Sequence, residues 1–180
     1  MNLIDEILGL LYLLIPAYFA NMAPVFFKRL DFLNYPIDFG KKIRKKRIFG
    51  KNKTFRGLFF GMILAMLVFY IQKIFFLEGF VSFSLIDYSL YSVWFGAVIG
   101  LVTILGDAIE SFFKRQLGKK PGKPWVPFDQ LDFVITNFIF FAFFIDISIL
   151  SYLIAAIIIT LCDMIIQYTG YKLKLKEDFL

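Results

Sequence analysis

Between Gly106 and Asp132 the chain reads GDAIESFFKRQLGKKPGKPWVPFDQLD, which gathers the residue types that can hold a metal ion and a phosphate. On a helix, Asp107, Glu110, Ser111 and Lys114 recur at spacings of three and four and share one face, leaving Ala108, Ile109, Phe112 and Phe113 for the other. After a Gly- and Pro-rich loop, Asp129 and Asp132 stand three apart where the next apolar run begins, and on a first helical turn they point the same way. Two acids there could do no more than stabilise a helix N-terminus, by a few tenths to about 1 kcal/mol. The other reading is a cation site: Asp107, Glu110 and Asp163 belong to the same level, and that many carboxylates in an apolar chain need a cation to relieve their repulsion. Histidine is absent, so any catalysis rests on carboxylates, Lys/Arg and a hard cation with oxygen ligands.

Two loops carry the cations. In the first, Lys41, Lys42, Arg44, Lys45, Lys46 and Arg47 form a dense run that reads as a topology signal resting on anionic headgroups. The following GKNKTFRG is more particular: glycines bracket Lys51, Asn52, Lys53, Thr54 and Arg56, a mixture suited to phosphate oxygens and a polar base, or else a solvated helix entry. In the second loop, Gly118 to Pro124 resembles a P-loop but fails the match, because Pro124 occupies the Ser/Thr position that a magnesium ion needs. Its cations, Lys123 among them, are candidate phosphate contacts.

The frame that must position these residues is a membrane. With 59% hydrophobic residues, 20% aromatics and a mean hydropathy of +0.74, the chain is too apolar for a water-soluble domain of its 180 residues. Five apolar segments stand out: Leu3–Phe27, Gly57–Leu77, Tyr88–Phe113, Leu131–Ile147 and Leu150–Tyr171, most near the roughly 20 residues that span hydrocarbon. Asp5 and Glu6 stand where a signal peptide would be basic, so the first segment is expected to remain as a span. Lys28–Arg56 holds eleven cations, Lys114–Gln130 five and the tail after Tyr171 three, whereas Glu78–Asp87 and Ser148–Leu150 hold none. That asymmetry places the N-terminus outside and both long loops and the C-terminus in the cytoplasm. The net charge of +6 therefore reads as orientation and anionic ligand before nucleic acid.

In this topology Asn21, Asp107, Asn137 and Asp163 lie seven to nine residues from the cytoplasmic ends of four helices. At 1.5 Å per residue that is roughly 10 to 14 Å deep, the level of a polar pocket open to the cytoplasm. Asn21 could equally be an interhelical hydrogen bond. The lone Cys162 reads as a packing residue. No internal repeat, linker or second domain is visible, so residues 1–180 read as one all-α membrane domain. An ion or solute carrier with carboxylates at mid-depth and a scaffold that recruits anionic lipid are the readings from other classes.

At these residues the chain resembles a known group. D-x-x-E-S-x-x-K-R at Asp107–Arg115, the Gly/Pro loop, and D-x-x-D at Asp129–Asp132 look like the signature of the CTP-dependent phosphatidate cytidylyltransferases. The short length and the segments N-M-A-P (Asn21–Pro24) and G-K-N-K-T-F-R-G are more similar to their archaeal branch, the CDP-archaeol synthases. The His-Gly-Gly stretch of the bacterial and eukaryal enzymes is missing, with Trp125-Val-Pro-Phe128 in its place. The resemblance implies a multi-pass enzyme of the cell membrane that transfers CMP from CTP to 2,3-bis-O-(geranylgeranyl)-sn-glycerol 1-phosphate with Mg2+, releasing pyrophosphate; an ester-linked phosphatidate is the alternative acceptor. It implies metal ligation by Asp107, Asp129 and Asp132, and phosphate contacts from Lys114, Arg115, Lys123, Lys51, Lys53 and Arg56. Ser111, Asn52 and Thr54 would help to orient the nucleotide.

Overall fold

The chain turns apolar side chains outward and keeps several polar ones inside, as an apolar solvent requires. A computed structural model describes residues 1–119 and 125–172. Gln72, Thr103, Gln130, Asn137 and Ser151 are buried, whereas Ile135, Ile139, Leu153 and Ile157 are exposed. Asn137, fully buried, illustrates how such a group is tolerated: its amide donates to Thr103 Oγ1 (2.9 Å) and to the Phe133 carbonyl (2.7 Å).

Six α-helices follow in order: α1 (Leu3–Leu13), α2 (Ile15–Phe26), α3 (Phe55–Leu77), α4 (Trp94–Gln116), α5 (Phe128–Phe141) and α6 (Ile149–Lys172). A two-residue hairpin, β1 (Lys42–Ile43) with β2 (Lys46–Arg47), interrupts the first long loop, so the described fold is all-helical apart from this antiparallel pair. Among the described residues four stretches are long and apolar enough to cross a membrane: Leu3–Phe26, Phe55–Leu77, Trp94–Gln116 and Ile149–Ile166.

The first of these is broken in the middle for a local reason. Pro16 has no amide to give to the Tyr12 carbonyl one turn earlier, and that carbonyl instead accepts Gln72 Nε2 of α3 at 2.5 Å. The third begins later than its apolar run: Tyr88–Leu90 forms a 3-10 turn capped by Asp87, and the helix proper starts at Trp94. The fourth expected span, Leu131–Ile147, is only partly helical: α5 starts earlier, at Phe128, and ends at Phe141, and its 14 residues are about 21 Å long against a hydrocarbon layer of about 30 Å. Its first turn lies in the polar site, which shortens the part left for lipid.

Close packing of α4 sets the geometry. Gly100 lies so near α3 that a Cβ there would come within 2.8 Å of the Gly61 carbonyl, the small-residue contact that membrane helices use in place of a hydrophobic drive. Gly106 does the same towards α5, where a Cβ would sit 2.2 Å from Thr136 Oγ1 and 2.9 Å from the Asp132 carbonyl. The residue after Gly106 is Asp107, so this contact carries the acidic face of α4 against the start of α5.

Candidate active site

A polar cavity of about 230 Å³ opens where α2, α4 and α5 meet the segment between β2 and α3. Asn21 of α2 contributes to its wall, as do Asp107, Glu110, Ser111, Lys114 and Arg115 of α4, Asp129 and Asp132 of α5, and Phe49 to Lys53 of the loop. Two further cavities, of about 450 and 200 Å³, share walls with it. The larger is ringed by Lys46, Arg47, Lys51, Arg115 and Lys119; the smaller runs past Asn21, Pro24, Thr54, Gly57 and Asp107.

The helical spacing of α4 performs as the sequence implies. Asp107, Glu110, Ser111 and Lys114 all reach the cavity, and Glu110 and Ser111 are buried. Lys114 Nζ lies 3.1 Å from Glu110 Oε1, one turn back, and pairs with Asp129 across to α5. Asp129 is also held by the Trp125 amide, which donates to Oδ2 at 2.7 Å. Asp132 takes a different position: its carboxylate groups with those of Asp107 and Glu110, their ligand atoms all within 4.8 Å of one another. The two α5 aspartates, three residues apart, thus differ: Asp132 groups with Asp107 and Glu110, whereas Asp129 pairs with Lys114 and also meets the Glu110 side chain at the edge of that group. Glu110, on the acidic face but outside the expected ligand set, is the third carboxylate of this cluster.

The basic loop reaches the same cavity from the other side. Thr54 caps α3, its Oγ1 accepting the Gly57 amide at 3.2 Å. One residue earlier, Lys53 pairs with Asp107, which ties loop and α4 together. The loop backbone is cross-stitched: Ile37 donates to the Lys53 carbonyl and Phe55 to the Tyr35 carbonyl, both at 2.9 Å. Beneath it Asp38, 4% exposed, accepts Arg47 Nη2 and three backbone amides. Burial alone would raise this carboxyl, but the Arg47 guanidinium and the amides of Gly40, Gly50 and Phe49 outweigh it and hold it at about 2.

Three expected positions turn out otherwise. Arg56 is buried, is not among the residues lining the polar cavity, and donates to the Leu30 carbonyl. The cationic run is not only a surface signal: Arg47 pairs with Asp38 at 2.5 Å, and Lys46 Nζ donates to the Gln116 carbonyl at the end of α4 at 2.6 Å. Of the four polar residues expected at one depth, Asn21 and Asp107 share the cavity, Asn137 is spent on Thr103 and Phe133, and Asp163 is not among the lining residues. Lys123 lies outside the described residues. Asp38 had no sequence signal beyond being an isolated acid in a cationic loop.

Three carboxylates at this spacing fit a hard divalent cation, which takes oxygen ligands and would remove their mutual repulsion. The flanking Lys51, Lys53, Lys114 and Arg115 suit phosphate oxygens. A metal with a polyphosphate is what such a donor set can hold.

Comparison with known proteins agrees with this chemistry. A family profile described as "CarS-like: CDP-archaeol synthase" matches residues 3–180. A CDP-archaeol synthase of Pyrobaculum aerophilum is 35% identical over 173 residues, covering 95% of this chain and 98% of the relative. One from Pyrococcus furiosus is 39% identical over 135 residues, 74% of each chain. A solved structure described as an intramembrane enzyme for archaeal membrane lipids biosynthesis superposes with a TM-score of 0.69 at 26% identity, covering 88% of this chain and 92% of its own.

Proposed function

Since the chain belongs to the CarS-like family of CDP-archaeol synthases, CTP-dependent cytidylyltransferases, we propose that it transfers CMP from CTP to 2,3-bis-O-(geranylgeranyl)-sn-glycerol 1-phosphate and releases pyrophosphate. The observation that carries this reading is the union, in one cavity of an apolar helical protein, of three clustered carboxylates with Lys51, Lys53, Lys114 and Arg115. A carrier would need the carboxylates but has no use for Lys51, Lys53, Lys114 and Arg115 gathered around them.

The chemistry suits the residues. A lipid phosphate is already an anionic nucleophile near neutral pH, so its oxygen can attack the α-phosphorus without a histidine base. The bond from the α-phosphorus to the bridging oxygen breaks, and its electron pair leaves with pyrophosphate. Magnesium, when bound, supplies charge neutralisation between the two anions. Asp107, Glu110 and Asp132 would hold it, with Asp129 keeping Lys114 in place beside them. Lys51, Lys53, Lys114 and Arg115 grip and align the phosphates, and Lys123 could join them. Asn52 and Ser111 orient the nucleotide. At about 230 Å³ the polar cavity is small for a whole nucleotide, so CTP would extend into an adjoining cavity. Thr54 and Arg56 act by setting the loop.

We place the site at the cytoplasmic face of the cell membrane in a single domain, with five spans, the N-terminus outside and α5 as a short fourth crossing completed by the residues after Phe141. Purified enzyme in vesicles of known orientation tests function and sidedness together. CTP labelled at the α-phosphate should label the lipid only with Mg2+ and only when supplied to the cytoplasmic face. The archaeal ether acceptor should be preferred to an ester phosphatidate. Lipid labelling that survives chelation of all divalent cations, or that requires CTP on the outer face, would contradict the proposal.

A further inference from the structure

Asp38 lines neither the polar cavity nor its two neighbours, yet it is the best-connected carboxylate in the loop. Its side chain is 0% exposed. A carboxylate out of water needs several donors, and it has four: Arg47 Nη2 at 2.5 Å, and the amides of Gly40 at 2.9 Å, Gly50 at 3.1 Å and Phe49 at 3.2 Å. The donors come from both ends of the β1–β2 hairpin, so one side chain closes that excursion into a ring.

The ring ends where the cavity begins. The consecutive amides of Phe49 and Gly50 meet the same oxygen, Asp38 Oδ2, and Gly50 then turns the chain with φ +105°, a conformation that a side chain would strain. The chain then runs through Lys51 and Asn52 to Lys53, whose carbonyl accepts the amide of Ile37 at 2.9 Å. Both ends of the Gly50–Lys53 segment are therefore fastened to the dipeptide Ile37–Asp38. The side chains between the two fastenings, Lys51 and Asn52, are exposed and line the cavity, as does Lys53.

We infer that Asp38 is a positioning residue for the nucleotide: its carboxylate fixes the Gly50–Lys53 segment against the cavity before any ligand arrives, so that binding does not have to order it. This rests on the reading that CTP occupies the cavity. A loop ordered in advance improves affinity chiefly by removing the ordering cost of binding, and the reacting groups on α4 and α5 are untouched. Loss of the latch should therefore appear in KM for CTP and not in kcat.

The test compares Asp38→Ala and Arg47→Met with wild-type enzyme in lipid nanodiscs. Asp38→Ala should raise KM for CTP about tenfold or more while kcat stays within about threefold. Amide hydrogen exchange should quicken at Phe49 and Gly50 but not in the α3–α4 core. Arg47→Met should act in the same direction more weakly, because three backbone donors remain, and should add nothing in the Asp38→Ala background. If Asp38→Ala does not fold, Arg47→Met carries the comparison. Free exchange at Phe49 and Gly50 with KM for CTP within twofold of wild type would overturn the inference, and so would a fall in kcat that tracks core melting at unchanged KM. Either result in a wild-type background that saturates with CTP leaves the proposed function standing. A wild-type enzyme that does not use CTP would instead remove the reading on which the inference rests.

Discussion

The acidic and the basic halves of the candidate site are held in place by different means. The acidic half stands on α4 and α5, where helical periodicity lines up Asp107, Glu110 and Lys114 and a single close contact at Gly106 brings Asp132 to them. The basic half stands on a loop with no regular structure at Lys51 and Asn52, held by a buried carboxylate, a capped helix start and an ion pair to α4. In the first, residues near in sequence are near in space. In the second, Asp38 reaches Gly50 and Lys53 reaches Asp107, 54 positions away. The helices suit the exact placement that a metal needs, within about 0.5 Å, whereas the loop has to be fastened if it is to present its cations without first being ordered.

Substitution within the acidic half should have the largest effect. Asp107→Asn and Asp132→Asn keep the shape and lose the charge, and each is expected to lower turnover by about 1,000-fold or more while the protein stays folded. Asp129→Asn should cost less, because that carboxylate is paired with Lys114 and lies outside the Asp107–Glu110–Asp132 group. Steady-state rates across a magnesium titration would check this order. Equal losses in all three would mean that Asp129 belongs to the metal site after all.

The basic half should divide internally. Lys53→Met removes a charge-assisted contact to phosphate of about 1.5 to 3 kcal/mol, so kcat/KM for CTP should fall roughly 10- to 150-fold. Arg56→Met should instead lower the melting temperature, because it frees the Leu30 carbonyl and opens a buried site. CTP titrations beside melting curves separate the two. An Arg56 variant that melts normally but binds CTP poorly would return Arg56 to the ligand.

Acid should distinguish the halves by stability. Asp38 titrates at about 2 in the folded protein against an ordinary 3.8, so its contribution is fully present above about pH 4 and is lost as pH falls towards 2. The shift corresponds to about 2 kcal/mol. The stability gap between wild type and Asp38→Asn, followed by unfolding at a series of pH values, should narrow over that window and stay constant above it. The smallest effect belongs to the hairpin tip: Arg44→Ser or Lys45→Ser, both exposed and not among the four donors to Asp38, should leave kcat/KM within about twofold.

This contrast also marks what could be read from the sequence. The apolar runs, the acidic face of α4 and the GKNKTFRG loop were legible because each is a local pattern. The choice between Asp129 and Asp132 was not, since a three-residue spacing puts both on one side and only the position of Lys114 separates them. Composition groups Arg56 with the other loop cations and gives no sign that α3, beginning at Phe55, buries it against the Leu30 carbonyl. Asp38 was invisible because its donors are mostly backbone amides, which no residue type announces.

On the proposed function these two unlike halves form one nucleotide site. Hydrogen exchange on the wild-type enzyme tests it directly, comparing the free protein, CTP with Mg2+, and CTP with chelator. CTP with Mg2+ should slow exchange both in the segment from Phe49 to Phe55 and in the start of α5, while the residues from Glu78 to Val93 do not change. Chelation should abolish the protection at α5. Protection confined to one half, or appearing at Glu78 to Val93, would contradict a shared site.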